Sequence, residues 1–126
     1  RENLALPLEY HKRFPPNEIQ EMVSAIIRSF DLEAVADRRP SAVAGSQRKA
    51  CCVARALIMQ PEMLILDDPT TGLGPQAARA LATYVKDNLR EGRLKFVFLT
   101  TEDTTLIYTL EPKILEIRNQ WLEWAA

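Results

Sequence analysis

The 126-residue chain is 47% hydrophobic and 26% charged, ordinary proportions for one soluble domain with a modest core. Its formal net charge of -1 supplies no clustered basic field, so nucleic acid is excluded as an expected partner. No apolar run nears the roughly 20 residues that span a bilayer, the opening is neither a signal nor a transit peptide, and adjacent Cys51 and Cys52 suit a reducing, cytoplasmic setting better than a disulfide or zinc framework.

The chain opens Glu2-Asn3-Leu4-Ala5-Leu6-Pro7-Leu8, apolar and with no preceding cap or strand, and is expected to continue a longer natural chain. His11, beside Lys12 and Arg13, is assigned to a loop without chemistry. After Pro15-Pro16, Asn17 and Gln20 make a capping-box pattern, and Ile19, Met22, Val23, Ile26, Ile27 and Phe30 follow helical spacing. Asp31 to Val43 allows a short helical turn and contains Pro40. A second helix of small and apolar residues is predicted from Gly45-Ser46 to about Met59, with Cys51 and Cys52 as small helix residues.

Met63-Leu64-Ile65-Leu66 reads as a strand buried on both faces and ends in Asp67-Asp68-Pro69. In open α/β sheets that carboxyl end is where ligands sit. Ala77, Ala80, Leu81, Tyr84, Val85 and Leu89 repeat at helical spacing after Pro75, and Lys95 to Leu99 reads as a second strand, ending at Thr100-Thr101-Glu102-Asp103. Strand, helix and strand imply a parallel pair with a right-handed crossover. Ile114–Ile117 and Trp121–Trp124 around Arg118-Asn119-Gln120 predict a hairpin, with Trp121 and Trp124 expected on one face as packing or contact residues.

A glycine-containing loop at a helix start offers backbone N–H groups and a dipole to a phosphate, and an Asp at a strand end can hold Mg2+. Val43-Ala44-Gly45-Ser46-Gln47-Arg48 opens the helix that contains Ala54-Arg55-Ala56-Leu57, the acidic strand end follows, and then Thr70-Thr71-Gly72-Leu73-Gly74-Pro75. This order resembles the ATP-binding cassettes of ABC transporters: the signature L-S-G-G-Q with R-A-L, the Walker B end D-E-P-T, and a D-loop of the form S/T-G-L-D-P. Glu2 to Leu8 resembles the segment after the family's Q-loop, and the tail its final strand pair.

The resemblance implies an α/β fold: a partial P-loop NTPase with a helical subdomain, a mainly parallel sheet and a C-terminal hairpin. Residues from about 1 to 50 would form the helical subdomain and signature loop, and about 51 to 126 the Walker B, D-loop and switch part of the core. It implies ATP and Mg2+ as cofactors, with Asp67 as the metal-associated acid and Asp68 in place of the catalytic Glu. Ala44, Gly45, Ser46 and Gln47 hold the signature positions, Gly74 the D-loop Asp position, and Glu102 the switch-His position. A second cassette subunit, so that one chain's signature completes the other's site, and a transmembrane permease are the implied partners, on the inner face of the membrane. The opening looks closest to bacterial importers of lipids or small hydrophobic solutes.

Five positions depart from that pattern: Ala44 for Ser, Ser46 for Gly, Asp68 for Glu, Gly74 for Asp and Glu102 for His. None of the four glycines begins G-x-x-x-x-G-K-[ST], the loop that cradles phosphates. Weak or absent turnover is therefore expected, with a non-catalytic regulatory or scaffolding pseudo-cassette as the alternative. Ser46 is read as a helix cap rather than a phosphate contact, and Glu102 as a solvated residue in the first turn of the next helix. A sheet lacking further strands is expected to expose edges and apolar surface.

Overall fold

The computed structural model describes residues 1–118 and 120–125. The elements run α1 (Glu2–His11), α2 (Pro16–Ser29), two 3-10 turns at Glu33–Val35 and Pro40–Ala42, α3 (Gly45–Leu57), β1 (Met63–Asp67), α4 (Pro75–Arg90), β2 (Phe96–Thr100), α5 (Thr104–Leu110), β3 (Leu115–Arg118) and β4 (Trp121–Trp124).

The opening segment, for which the sequence pattern named no element, is helix α1. Leu4 and Leu8, four residues apart on one face, are buried together with Ala5. Pro7 inside α1 removes the N–H that would meet the Asn3 carbonyl, a cost that packing of the buried face offsets. His11, expected in a loop, is the last residue of α1; the next residue, Lys12, turns left-handed at φ 50 and donates its N–H to the carbonyls of Glu9 and Leu8.

The expected capping box of Asn17 and Gln20 does not form. Helix α2 starts at Pro16, whose fixed φ suits a first helical position, and this places Asn17 inside the first turn with Pro15 as the cap residue. The predicted face is the buried one, through Ile19, Val23, Ile26 and Ile27. Helix α3 buries Ala50, Val53, Ala54 and Leu57, and α1 packs on both α2 and α3. Leu81 and Val85 of α4 enter the same hydrophobic cluster, which runs without a break across residue 50. Each fully buried Leu or Val contributes about 1.5–3 kcal/mol. Tyr84 Oη donates to the Leu57 carbonyl at 2.8 Å and ties α4 to the end of α3.

β1 and β2 pair in parallel, Met63 opposite Phe96 through Asp67 opposite Thr100. Leu64, Leu66 and Val97 pack into the core, whereas Met63, Ile65, Phe96 and Phe98 on the other face are 55%, 71%, 60% and 53% exposed. The strand expected to be buried on both faces is thus covered on one only, because helices pack against a single side of this two-stranded sheet.

β3 and β4 form a separate antiparallel hairpin. Side chains alternate along a strand, so positions 121 and 124, three residues apart, lie on opposite faces rather than on one, and both tryptophans are largely exposed. Of the predicted turn, Asn119 lies outside the described residues, and Gln120 takes φ 69. Among the described residues no helix is long and apolar enough to cross a membrane.

Candidate functional site

The carboxyl ends of β1 and β2 bring the acidic residues to one edge. Parallel register sets Asp67 beside Thr100, and Thr100 Oγ1 donates to Asp67 Oδ1 at 2.6 Å. The chain then turns sharply: Asp68 has φ 42, a left-handed conformation that Asp tolerates better than most residues. Its N–H donates to the Thr100 carbonyl at 3.1 Å and to Thr100 Oγ1 at 3.0 Å. Asp67 is exposed and Asp68 half-buried, above the buried Pro69.

Lys49 approaches this corner from the other side. Its Nζ donates to the Asp68 carbonyl at 3.1 Å and also to the Thr71 carbonyl, spanning the loop that follows β1. The loop continues through a turn closed by Leu73 N–H to the Thr70 carbonyl at 2.9 Å, with Gly72 at φ 71 in the position that needs a left-handed residue. Gly74 then takes the cap position of α4 at φ -66. A Cβ added to Gly74 would meet nothing within 4 Å, so packing does not exclude a side chain there.

Ala44, Gly45, Ser46 and Gln47 lie at the start of α3, the first three of them exposed. Ala44 is the cap residue, with no side-chain cap bond. Ser46 is therefore the second residue inside the helix and not its cap, which corrects the capping expectation. The first i→i−4 bond runs from Arg48 N–H to the Ala44 carbonyl at 3.0 Å, and the preceding amides point out of the helix end. Arg48 Nη1 folds back to the Val43 carbonyl at 2.6 Å and braces the entry to this loop. Among the described residues no hydrogen bond or ion pair joins Ala44–Gln47 to either acid; Lys49, about 6 Å along the helix axis from Gly45, makes the connection between the two loops through backbone carbonyls.

Glu102 stands past the end of β2, exposed and outside α5, which starts only at Thr104. It is not in the first turn as expected. Asp103 is the cap, accepting from Thr105 N–H at 2.9 Å and Leu106 N–H at 3.2 Å. Cys51 is not an activated nucleophile: burial pushes its thiol up from its ordinary 9.0, neighbouring Cys52 adds to this, and the N-terminal ammonium and Arg55 oppose it only in part.

The donor set also bears on a metal. Among the described residues no group of three or more His, Cys, Asp or Glu could hold an ion. Asp67 offers one exposed carboxylate, already bonded to Thr100. That fits Mg2+ only in the mode where one or two carboxylates share the ion with phosphates and waters. The sequence pattern missed Lys49, Arg48 and Thr100. Thr100 could have been found from strand register, while Lys49 had no local signal, its partners lying 19 and 22 residues away.

Known proteins resemble this arrangement. A spermidine/putrescine import ATP-binding protein of Nitratidesulfovibrio vulgaris is 35% identical over 123 residues, 98% of this chain and 33% of that protein. A sulfate/thiosulfate import ATP-binding protein of Synechocystis sp. is 35% identical over 79% of this chain and 28% of its own length, and a methionine import ATP-binding protein of Cereibacter sphaeroides 36% over the same shares. A dimeric ATP-binding cassette in a post-hydrolysis state, bound to ADP and Pi, superposes with a TM-score of 0.69 at 26% identity, over 86% of this chain and 47% of that one. The chain therefore spans about a third of the curated relatives it matches. The model of the family described as ABC transporter matches residues 1–71, more than half of the sequence, and the chain belongs to that family.

Proposed function

We propose that the chain is the carboxyl-terminal part of the ATP-binding cassette of an ABC transporter, binding ATP with weak or absent turnover. The observation that carries this reading is the corner where Asp67, Thr100 and Asp68 are bonded together at the carboxyl end of the parallel pair, with Lys49 holding the next loop. When bound, Mg2+ would neutralise phosphate charge, with Asp67 as its protein partner. Asp68 occupies the place from which a carboxylate would orient or deprotonate an attacking water. Its side chain is one methylene shorter than Glu, and a base must come within about 2.6–3.2 Å of its proton or act through one water. The amides of Gly45, Ser46 and Gln47, which precede the first i→i−4 bond of α3, would face phosphate oxygens across a dimer with a second cassette. A permease at the inner face of the membrane would take up the resulting motion. A phosphate-binding loop would come from sequence upstream of Arg1.

The second reading, a pseudo-cassette without turnover, is favoured by Gly74, which lacks the carboxylate of the D-loop although an added Cβ there would meet nothing within 4 Å. The deciding assay is Mg-ATP binding and multiple-turnover hydrolysis by a cassette that includes the upstream loop, with Asp68→Asn and Glu102→His in parallel. ATP binding with slow turnover that Asp68→Asn leaves nearly unchanged is the expected result. Robust hydrolysis that collapses in Asp68→Asn would overturn the weak-turnover reading, and failure to bind ATP would overturn ATP binding itself.

A further inference from the structure

Away from the acidic edge, a cavity of about 240 Å³ opens between α1, the segment from Leu32 to Val43, and α3. Its apolar wall is built by Leu4, Ile27, Leu32, Val35 and Val43, and Cys51 and Cys52 also line it. Four arginines, Arg1, Arg38, Arg48 and Arg55, are among its lining residues, and no Asp or Glu is. Two of the four are engaged: Arg1 Nε pairs with Asp37 at 3.2 Å, and Arg48 donates to the Val43 carbonyl at 2.6 Å. The side chains of Arg38 and Arg55 make no hydrogen bond or ion pair with another described residue.

We infer that this cavity binds a small anionic amphiphile, a carboxylate on a short apolar tail. The tail replaces water against the Leu and Val wall, and the planar forks of Arg38 and Arg55 match a carboxylate at the rim. The volume lies below the roughly 300–1,000 Å³ of sites for drug-sized ligands, which selects a short chain. The site shares no residue with Asp67, Asp68 or Lys49, and it borders the start of α3 through Val43 and Arg48.

The cavity carries its own reporter in Cys51 and Cys52. Octanoate is titrated into the chain by ligand-observed NMR while the reaction of both thiols with N-ethylmaleimide is timed, with octanol and acetate as comparison probes. Octanoate should bind saturably and slow thiol reaction, and neither comparison probe should match it. Arg38→Gln and Arg55→Gln should each weaken octanoate binding by about tenfold, the loss of one charge-assisted bond, while Arg79→Gln on α4 should not. Equal protection by octanol would reduce the cavity to an apolar hollow and overturn the inference. Octanoate binding without thiol protection, or unchanged in both arginine variants, would place it elsewhere and overturn it too. Should an arginine variant fail to fold, the comparison of octanoate with octanol on the unmodified chain decides.

Discussion

Replacing Lys49 with Met keeps the aliphatic stem and removes only the ammonium that grips the Asp68 and Thr71 carbonyls. The Asp68 bond is partly buried, and the Thr71 bond is exposed. A hydrogen bond with a charged donor contributes about 1.5–3 kcal/mol when shielded, whereas exposure to water holds the second below about 1 kcal/mol. The left-handed Asp68 stores on the order of 1 kcal/mol of backbone strain, and without Lys49 only Thr100, among the described residues, opposes its release. The expected loss for Lys49→Met is about 2 kcal/mol, or roughly 8 °C in Tm for a chain of this length. Urea unfolding gives the first number, and amide exchange at Gly72 and Leu73 should quicken more than at Leu81 in the core. A variant within about 0.5 kcal/mol of the parent, with unchanged exchange in that loop, would refute the role given to Lys49.

Tyr84→Phe deletes the bond to Leu57 and should cost about 1 kcal/mol near neutral pH. Burial raises the Tyr84 phenol above its ordinary 10.0, with Arg93 opposing, so its stabilisation is full below pH 10 and is lost as pH climbs through the folded-state value. Thermal unfolding from pH 8 to 11 should show an alkaline fall that is smaller in the Phe variant. Asp103→Ala removes both cap bonds of the seven-residue α5 and should destabilise the chain by about 1 kcal/mol in urea unfolding. Ile65→Lys with Phe98→Lys, placed on the uncovered sheet face, should lower concentration-dependent self-association in sedimentation velocity while leaving the helical circular dichroism signal unchanged.

Helices α2, α3 and α4 and the parallel strands were readable because their apolar residues repeat at the period of the element that buries them. Helix α1 was not, since Pro7 and the missing cap hide a short burial pattern of Leu4, Ala5 and Leu8. The acidic strand end was visible as Asp67-Asp68, but what holds it was not. Thr100 meets those acids through register with a strand 33 residues away, and Lys49 through a flexible stem that no local spacing encodes. Ser46 was misplaced for a related reason: a helix can begin at a residue such as Ala44 that caps with backbone only, so the nearest polar side chain is a poor marker of the start. The exposed Ile65 and Phe98 follow from how many strands the sheet has, a property of tertiary assembly that one strand's sequence does not state.

The two parallel strands can pair only once β2 has been made, 33 residues after β1, whereas α1, α2 and α3 all precede β1 in the chain. During synthesis the three helices are complete before either strand, and the parallel pairing follows as the later step. Until β2 emerges, Asp67 and Asp68 have no Thr100 to fix them. The acidic corner is thus a late product of folding, assembled on a helical platform that already carries Lys49 in place.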